Sequence, residues 1–127
     1  MLGDPPRKRV TREVAPTAVQ DLRDRPPRGT VAFVDRTTID LRPAQVRCSA
    51  DTYQFGVLAD ACDDLDGREV VLMIDDGPYW FQLRGISVRG SARHIDPPAT
   101  QEHKALVWYV IEAKRILAWD YGAIRQA

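Results

Sequence analysis

Residues 69–96 of the chain, EVVLMIDDGPYWFQLRGISVRGSARHID, decide the fold. The run 70–74 is apolar throughout, too short for an isolated helix and rich in residues that favour strands, so it predicts a strand buried on both faces. The sequence DDGP at 75–78 predicts a turn, because Asp can bond its own backbone, Gly tolerates a positive φ and Pro presets φ. The alternation that follows predicts a long strand over 79–95, antiparallel to the first.

The predicted long strand changes face partway along its length. Phe81 and Leu83 place apolar side chains at odd numbers, whereas Ile86 and Val88 place them at even numbers. A face change within one strand requires an extra residue, because side chains alternate with a period of two. We therefore predict a β-bulge at Arg84–Gly85 with the glycine at positive φ, a feature common at barrel rims and beside active sites.

The rest of the chain predicts further strands and little helix. The segment 106–119, LVWYVIEAKRILAW, has the charge content of a helix, but its β-branched and aromatic residues favour a strand. Residues 1–15 carry prolines and charges without periodicity and predict a mobile tail, which leaves 16–127 as a single domain. The other predicted elements are a helix from Pro16 with Thr17 as its cap, strands at 29–35, 39–48 and 53–57, and one or two helical turns over 58–65. Together with the hairpin, they predict a mainly β fold, a small barrel of six antiparallel strands with short flanking helices.

Composition argues against two classes of partner. The 127 residues carry a formal net charge of zero, so no global field attracts the chain to nucleic acid or to an anionic membrane. No apolar run approaches the length of a membrane span. A barrel that binds single-stranded nucleic acid is an alternative, because Arg84, Arg89 and Arg93 follow one strand, but the zero net charge argues against it.

Neither the cysteines nor the acidic residues predict a metal site. Cys48 and Cys62 form no CxxC pair, and the sequence MLGDPPRKRV lacks the apolar core of a signal peptide, which predicts reduced thiols in a cytoplasmic protein. His94 and His103 belong to no HExxH motif. Four aspartates between 60 and 66 suggest a calcium loop, but no glutamate follows twelve residues after the first ligand, so we expect a solvated acidic turn.

The leading helix, the apolar strand, the segment DDGPYWFQLRGISVRGSAR and the closing KRILAWDYGAIR resemble the pyridoxamine 5′-phosphate oxidase-like split β-barrel family. The resemblance covers about residues 16–125 and implies a six-stranded antiparallel split β-barrel. It also implies a homodimer that binds FMN or the deazaflavin F420 in a groove between subunits and transfers a hydride or oxidises an amine. Apolar surface that one small barrel cannot cover, including Trp80 and Trp108, also favours a two-fold homodimer that uses the long strands.

The resemblance assigns six residues to the cofactor groove. Arg84 matches a basic position on the long strand near the cofactor, although Gly85 follows it where the oxidases commonly have glutamine. Trp119 and Arg125 match the terminal aromatic and basic residues near the flavin or substrate. Phe55 and Gly56 lie on the third strand, after which the family grips the cofactor phosphate.

The chain departs from the family in that phosphate-binding segment. The sequence FGVLADACDDLDG contributes four aspartates, and no Lys or Arg occurs between Tyr53 and Gly67. A phosphate dianion gains from charge-assisted hydrogen bonds to Arg or Lys and is repelled by carboxylates. If a phosphorylated flavin binds, the candidates for holding its phosphate are Arg84, Arg125 or backbone N–H groups after Gly56.

The leading functional hypothesis is a flavin- or deazaflavin-dependent oxidoreductase. In such enzymes the cofactor supplies the hydride chemistry, so the sequence demands no catalytic acid or base and identifies none. The alternative is a non-catalytic member of the same fold that acts as a binding or interaction module. The aspartates between 60 and 66 favour the alternative, whereas the DDGPYWFQLRG hairpin and Trp119 fit both.

Overall fold

The computed structural model describes residues 13–99 and 105–122, most of which lie in antiparallel strands. In chain order the elements are β1 (Glu13–Val14), a 3₁₀ turn (Pro16–Val19), α1 (Gln20–Asp24), β2 (Gly29–Asp35), β3 (Thr38–Ser49), β4 (Thr52–Leu58), β5 (Glu69–Asp76), a second 3₁₀ turn (Trp80–Gln82), β6 (Arg84–Ile95) and β7 (Leu106–Asp120). None of the helices in this part of the chain has the length and apolar character needed to cross a membrane.

Strands β2 to β7 close into a barrel. Neighbours along the sheet follow the order β1-β7-β4-β3-β2-β5-β6, and an additional pairing of β6 with β7 closes the ring. The closing pair is the longest in the barrel, and its register runs from Arg84 opposite Asp120 to Ile95 opposite Trp108. The predicted mainly β, six-stranded antiparallel barrel is therefore confirmed.

Apolar side chains from alternate strand positions fill the barrel interior. Val31 and Phe33 of β2, and Phe55 and Val57 of β4, point inward and are almost fully buried. Burial of each such side chain contributes about 1.5–3 kcal/mol relative to exposure. The largest side chains with less than 2% exposure are Trp108, Phe55, Leu22, Leu65, Leu72, Ile74, Ile86, Val19, Val31, Val57, Val70 and Val88.

Strand β5 is buried on one face only, so the prediction of burial on both faces is wrong. Val70, Leu72 and Ile74 point into the core, whereas Val71 is half-buried and Met73 is 37% exposed. A continuous apolar run usually marks a strand covered by helices on both sides. A barrel that closes on itself has an outer face with no such helical layer, so these two side chains remain accessible in the single chain.

The predicted bulge at Arg84–Gly85 is wrong, and the register shift lies elsewhere. The glycine at 85 pairs with Trp119 without a shift, and the positive-φ glycines of the described chain are Gly67 and Gly77. The second 3₁₀ turn, over Trp80–Gln82, ends the odd-numbered pattern before β6 begins. The shift falls between Arg89 and its neighbour Gly90, where Lys114 is the extra residue of β7.

The predicted helical turns over 58–65 are absent. Strand β4 continues to Leu58, and turns and bends follow it as far as Gly67. Asp64 accepts a hydrogen bond from the backbone N–H of Asp66 at 3.0 Å, and Asp66 accepts one from the backbone N–H of His94 at 2.7 Å. The contact of Asp64 is local and competes with helix formation, whereas that of Asp66 ties the segment to β6.

Part of the segment 1–15, which was predicted to be a mobile tail, forms a strand. Residues 1–12 of the tail, together with His103 and Arg125, lie outside the described residues. Glu13–Val14 pairs with β7, opposite Trp119 and Ala118, so the last part of the segment 1–15 belongs to the sheet. The leading helix is present, but its cap position is Ala15 and no described side chain caps its first turn, so the cap assigned to Thr17 is wrong.

Trp108 is not exposed, contrary to the expectation that it adds to the outer apolar surface. Its indole is 1% exposed and packs against Gly56, its partner on β4. The side chain of Trp80 is not among those described. The apolar surface that the barrel does expose comes from aliphatic residues of β2, β3 and β5.

Candidate functional site

Arg84 begins β6 and is held by two carboxylates. It stands opposite Asp76 in the β5–β6 pair, and its Nε and one Nη donate to that carboxylate at 3.1 and 2.7 Å. Both Nη atoms also donate to Asp21, in the first turn of α1, at 3.1 and 2.8 Å. One guanidinium thus makes a two-pronged contact with each carboxylate and ties α1 to the β5–β6 hairpin.

This arrangement opposes phosphate binding at Arg84. The hydrogen bond from Arg84 holds the pKa of the Asp21 carboxyl below its ordinary value of 3.8, so the two carboxylates outweigh the single cation at neutral pH. A phosphate would have to displace one carboxylate and would remain close to the other. The geometry favours a structural clamp, and a role of Arg84 in cofactor binding stays a prediction.

Gly85 and Trp119 form a close contact on the outer surface of the barrel. They are direct partners across β6 and β7, and the indole of Trp119 lies over the glycine. A Cβ at Gly85 would lie 2.2 Å from Cζ2 of that ring, so only glycine fits beneath it. Trp119 is only half-buried, so part of its ring is accessible for contact with a ligand.

The contact between Gly85 and Trp119 is one end of a band along β6 and β7 that we call the outer strip. Direct cross-strand partners point to the same face of a sheet, and every second residue along a strand does so. The outer strip consists of the pairs Gly85 with Trp119, Ser87 with Leu117 and Arg89 with Arg115. Met73 of β5 flanks its middle, because Met73 is the partner of the serine on the other side of β6.

Cationic side chains gather at the other end of the outer strip. Arg89 and Arg115 are exposed, and within residues 13–99 and 105–122 neither guanidinium forms an ion pair or a hydrogen bond. The bulge adds Lys114, whose Nζ lies 2.9 Å from Oε2 of Glu69. Sequence reasoning placed Arg89 on the strand but missed its partner, because the pairing depends on a register that the bulge shifts.

Phe55 and Gly56 lie on β4 but face opposite sides of the sheet. Phe55 is fully buried and stacks on Tyr109 with 5.3 Å between ring centroids, so only its backbone can reach a ligand outside the barrel. A Cβ at Gly56 would lie 2.7 Å from Cε2 of Trp108, so this glycine makes room for the indole. The indole Nε1 is buried and has no hydrogen-bond partner in the part of the chain that the structure describes.

The structure brings only some of the predicted site residues together. Arg84, Gly85 and Trp119 meet at one end of the closing strand pair. Gly56 pairs with Trp108, eleven residues of β7 away from Trp119, which corresponds to about 35 Å of extended strand. Within one chain these residues therefore form two separate sets.

The acidic segment is part of the barrel's own hydrogen-bond network. The hydroxyl of Tyr109 donates to Oδ1 of Asp64 at 2.9 Å and accepts the backbone N–H of Leu65 at 3.2 Å. Burial raises the pKa of Tyr109 to about 12, and the backbone N–H of Asp66 holds the pKa of Asp64 below its ordinary value. Among the described residues no three His, Cys, Asp or Glu side chains are grouped as metal ligands would be.

Comparison with known proteins finds likeness in structure. No family model and no curated protein matches the sequence. The FAD binding protein from Mycobacterium smegmatis aligns with a TM-score of 0.66 at 19% identity, over 85% of this chain and 96% of that one. The FAD and heme binding protein from the same organism aligns with a TM-score of 0.66 at 13% identity, over 87% of this chain and 73% of that one.

A third solved structure with a similar fold has a name that matches the predicted family. A candidate pyridoxamine 5′-phosphate oxidase from Corynebacterium glutamicum aligns with a TM-score of 0.61 at 12% identity, over 84% of this chain and 94% of that one. At these identities the likeness shows the fold. It confirms the resemblance inferred from the sequence, since the chain has the fold of a pyridoxamine 5′-phosphate oxidase-like split barrel.

Proposed function

We propose that this chain binds a flavin nucleotide on its outer strip and works as a homodimeric oxidoreductase. The observation that carries the proposal is the half-buried indole of Trp119, which lies over Gly85 on an outer surface that continues through apolar Leu117. Aromatic and aliphatic side chains of this kind suit the flat, largely apolar isoalloxazine ring. Two of the solved structures that share the fold are FAD-binding proteins, which supports a flavin-type ligand.

The division of chemistry between ligand and protein follows from the residues present. A bound flavin or deazaflavin supplies the hydride transfer. Trp119 contacts the ring and limits its position, and the packing of the indole on Gly85 holds the tryptophan itself in place. Leu117 and the neighbouring Met73 exclude water from one side of the ligand.

An apolar area on the neighbouring strands supports the homodimer. Val34, Ile39 and Leu41 are 56, 75 and 60% exposed, and Val34 and Ile39 are direct partners across β2 and β3. Val34, Ile39 and Val71 line a shallow cleft of about 380 Å³, and Arg89 is also part of its lining. Exposed aliphatic residues that cluster in this way mark an interaction surface. We assign this surface to a second copy of the chain, because a two-fold interface places the same apolar residues of both subunits against one another and so covers them.

Light scattering at micromolar concentration tests the homodimer. We expect twice the chain mass of 14.3 kDa for the parent. Ile39→Asp places a charge in the apolar surface and should shift the protein towards the monomer, whereas Thr37→Asp, in the adjacent turn, should leave the dimer intact. A parent that scatters only as a 14.3 kDa species contradicts the proposal.

Flavin binding is tested by equilibrium titration of the purified, ligand-free protein with FMN, FAD and F420. Saturable quenching of ligand fluorescence by at least one of them is expected, and Trp119→Ala should weaken it because the ring contact is lost. Ser91→Ala, on β6 beyond the outer strip, is the matched control and should bind as the parent does. Equal affinity of the parent and Trp119→Ala contradicts the assignment of the outer strip.

The alternative function is a non-catalytic binding module of the same fold. The specific observation in its favour is that Arg84 is occupied by Asp21 and Asp76, while no Lys or Arg occurs between Tyr53 and Gly67. Failure of FMN, FAD and F420 to bind at high micromolar concentration supports this alternative. Binding without reduction of the bound ligand by a nicotinamide or deazaflavin donor would retain the binding part of the proposal and remove the oxidoreductase part.

A further inference from the structure

The outer face of β6 and β7 presents two arginines that have no carboxylate partner among the described residues. Arg89 and Arg115 are direct cross-strand partners, so their Cβ atoms lie about 4.5–5.5 Å apart on one face. Both side chains are exposed, and neither takes part in an ion pair or a hydrogen bond within the described chain. Like charges placed directly opposite destabilise a strand pair, and an anion bound between them removes that cost.

The surroundings leave the arginine pair with excess positive charge. The nearest carboxylate on β5 is that of Glu69, which lies two positions before Val71, the β5 partner of Arg89. Its carboxylate is already engaged by Lys114, with 2.9 Å between Nζ and Oε2. Glu112, the β7 partner of Ser91, is likewise engaged, by Arg93. Four cations therefore face two carboxylates at this end of the strip, whereas at Arg84 two carboxylates hold one cation.

The spacing along the strip matches a ligand with an aromatic ring at one end and an anion at the other. Trp119 lies four positions after Arg115 on β7, and Arg89 lies four positions after Gly85 on β6. At about 3.3 Å per residue, the aromatic and basic ends are about 13 Å apart. Leu117 and its partner Ser87 occupy the space between them and offer one apolar and one hydroxyl contact. A ribityl chain, which separates ring and phosphate in a flavin nucleotide, presents both kinds of surface.

We propose that Arg89 and Arg115 hold the phosphate of the flavin nucleotide, with its ring at Trp119. This inference rests on the proposed function and adds the phosphate ligands to it. It moves the phosphate from the end of the third strand, where this chain has aspartates, to the bulged end of the closing strand pair. Guanidinium groups suit this role because each can donate two parallel hydrogen bonds to phosphate oxygens.

The experiment compares FMN with riboflavin, which lacks the phosphate, on the full chain. Fluorescence titrations are run on the parent, Arg89→Gln, Arg115→Gln and the control Arg93→Gln. Arg93 lies on the same strand and is exposed, but it already forms an ion pair with Glu112. Each outer-strip variant should lose about tenfold in FMN affinity, the equivalent of about 1.4 kcal/mol. Riboflavin affinity should change by less than about twofold in all variants, and the control should match the parent with both ligands.

Thermal unfolding without ligand checks that the variants fold and adds a second readout. Removal of one of two opposed charges relieves repulsion, so Arg115→Gln should melt at or slightly above the temperature of the parent. FMN should raise the melting temperature of the parent by more than riboflavin does, and this difference should vanish in the variant.

The outcomes separate the inference from the function on which it rests. If the parent binds FMN and both outer-strip variants bind it equally well, the phosphate lies elsewhere and the inference is overturned, while flavin binding stands. If the parent binds riboflavin as tightly as FMN, the phosphate makes no contact and the inference is likewise overturned. If the parent binds no flavin, the proposed function fails and the inference fails with it.

Discussion

Substitution of Gly85 tests how the outer strip is built. In Gly85→Ala the new Cβ would lie 2.2 Å from Cζ2 and 2.6 Å from Cε2 of Trp119, well inside the separation that carbon atoms tolerate. Because Trp119 is half-buried, its indole can move off the strand into solvent. If that movement exposes about 100 Å² of ring surface, the free energy of unfolding falls by about 2.5 kcal/mol at about 25 cal/mol per Å². If the ring stays in place instead, the strain of the overpacked contact costs a similar amount, about 1–3 kcal/mol.

Urea unfolding followed by far-ultraviolet circular dichroism gives the stability of Gly85→Ala. We expect the free energy of unfolding to fall by about 1–3 kcal/mol, with the loss arising from the clash rather than from the backbone, since Gly85 does not adopt a positive φ. The matched background is Trp119→Ala, in which the same glycine substitution should cost much less, giving a coupling of at least about 1 kcal/mol. A coupling near zero, or an alanine variant as stable as the parent, refutes the packing described for the strip.

Three further predictions concern other contacts. Gly56→Ala places a Cβ 2.7 Å from the fully buried indole of Trp108 and should cost about 1–3 kcal/mol in urea unfolding, since that ring has no exposed side towards which to move. The pKa of Tyr109 is raised to about 12, so the folded protein binds the phenol proton more tightly than the unfolded chain does. This difference stabilises the fold fully below pH 10, the ordinary pKa, and the stabilisation is lost as the pH rises towards 12. The free energy of unfolding of Tyr109→Phe should lack this alkaline decrease. Asp21 has a lowered pKa, so its contribution is present above its ordinary pKa of 3.8 and is lost as the pH falls below it; Asp21→Asn should remove that part of the acid sensitivity, and an unchanged acid profile would show that the contact with Arg84 does not form in solution.

The barrel was predictable because its strands carry their own signals. The segments 29–35, 39–48, 53–57 and 106–119 were predicted to within one residue of the observed bounds at each end. Each combines β-branched residues with turn residues at its limits, which are local properties of the sequence. The position of the bulge could not be predicted from the sequence of one strand. The change of face near Arg84 arises from a 3₁₀ turn, and the true extra residue, Lys114, lies on the partner strand β7.

The site was predictable in part for the same reason. Trp119 and Gly85 were identified from the segments that resemble the family, and the structure places them in contact. The occupation of Arg84 by Asp21 and Asp76 depends on a helix packing against a hairpin more than fifty residues away in sequence, which no local pattern reports. The pairing of Arg115 likewise required the register of the closed barrel.

Flavin binding by the barrel is measured by calorimetric titration of the ligand-free protein with FMN, which reports affinity and stoichiometry together. We expect saturable binding of one flavin per chain, and weaker binding as the salt concentration rises, since exposed arginines hold the phosphate. Riboflavin should bind in the same ratio but more weakly. Absence of binding heat with FMN, FAD and F420 alike at high micromolar concentration would contradict flavin binding by this barrel, and tight FMN binding that is indifferent to salt would contradict the phosphate site on its outer strip.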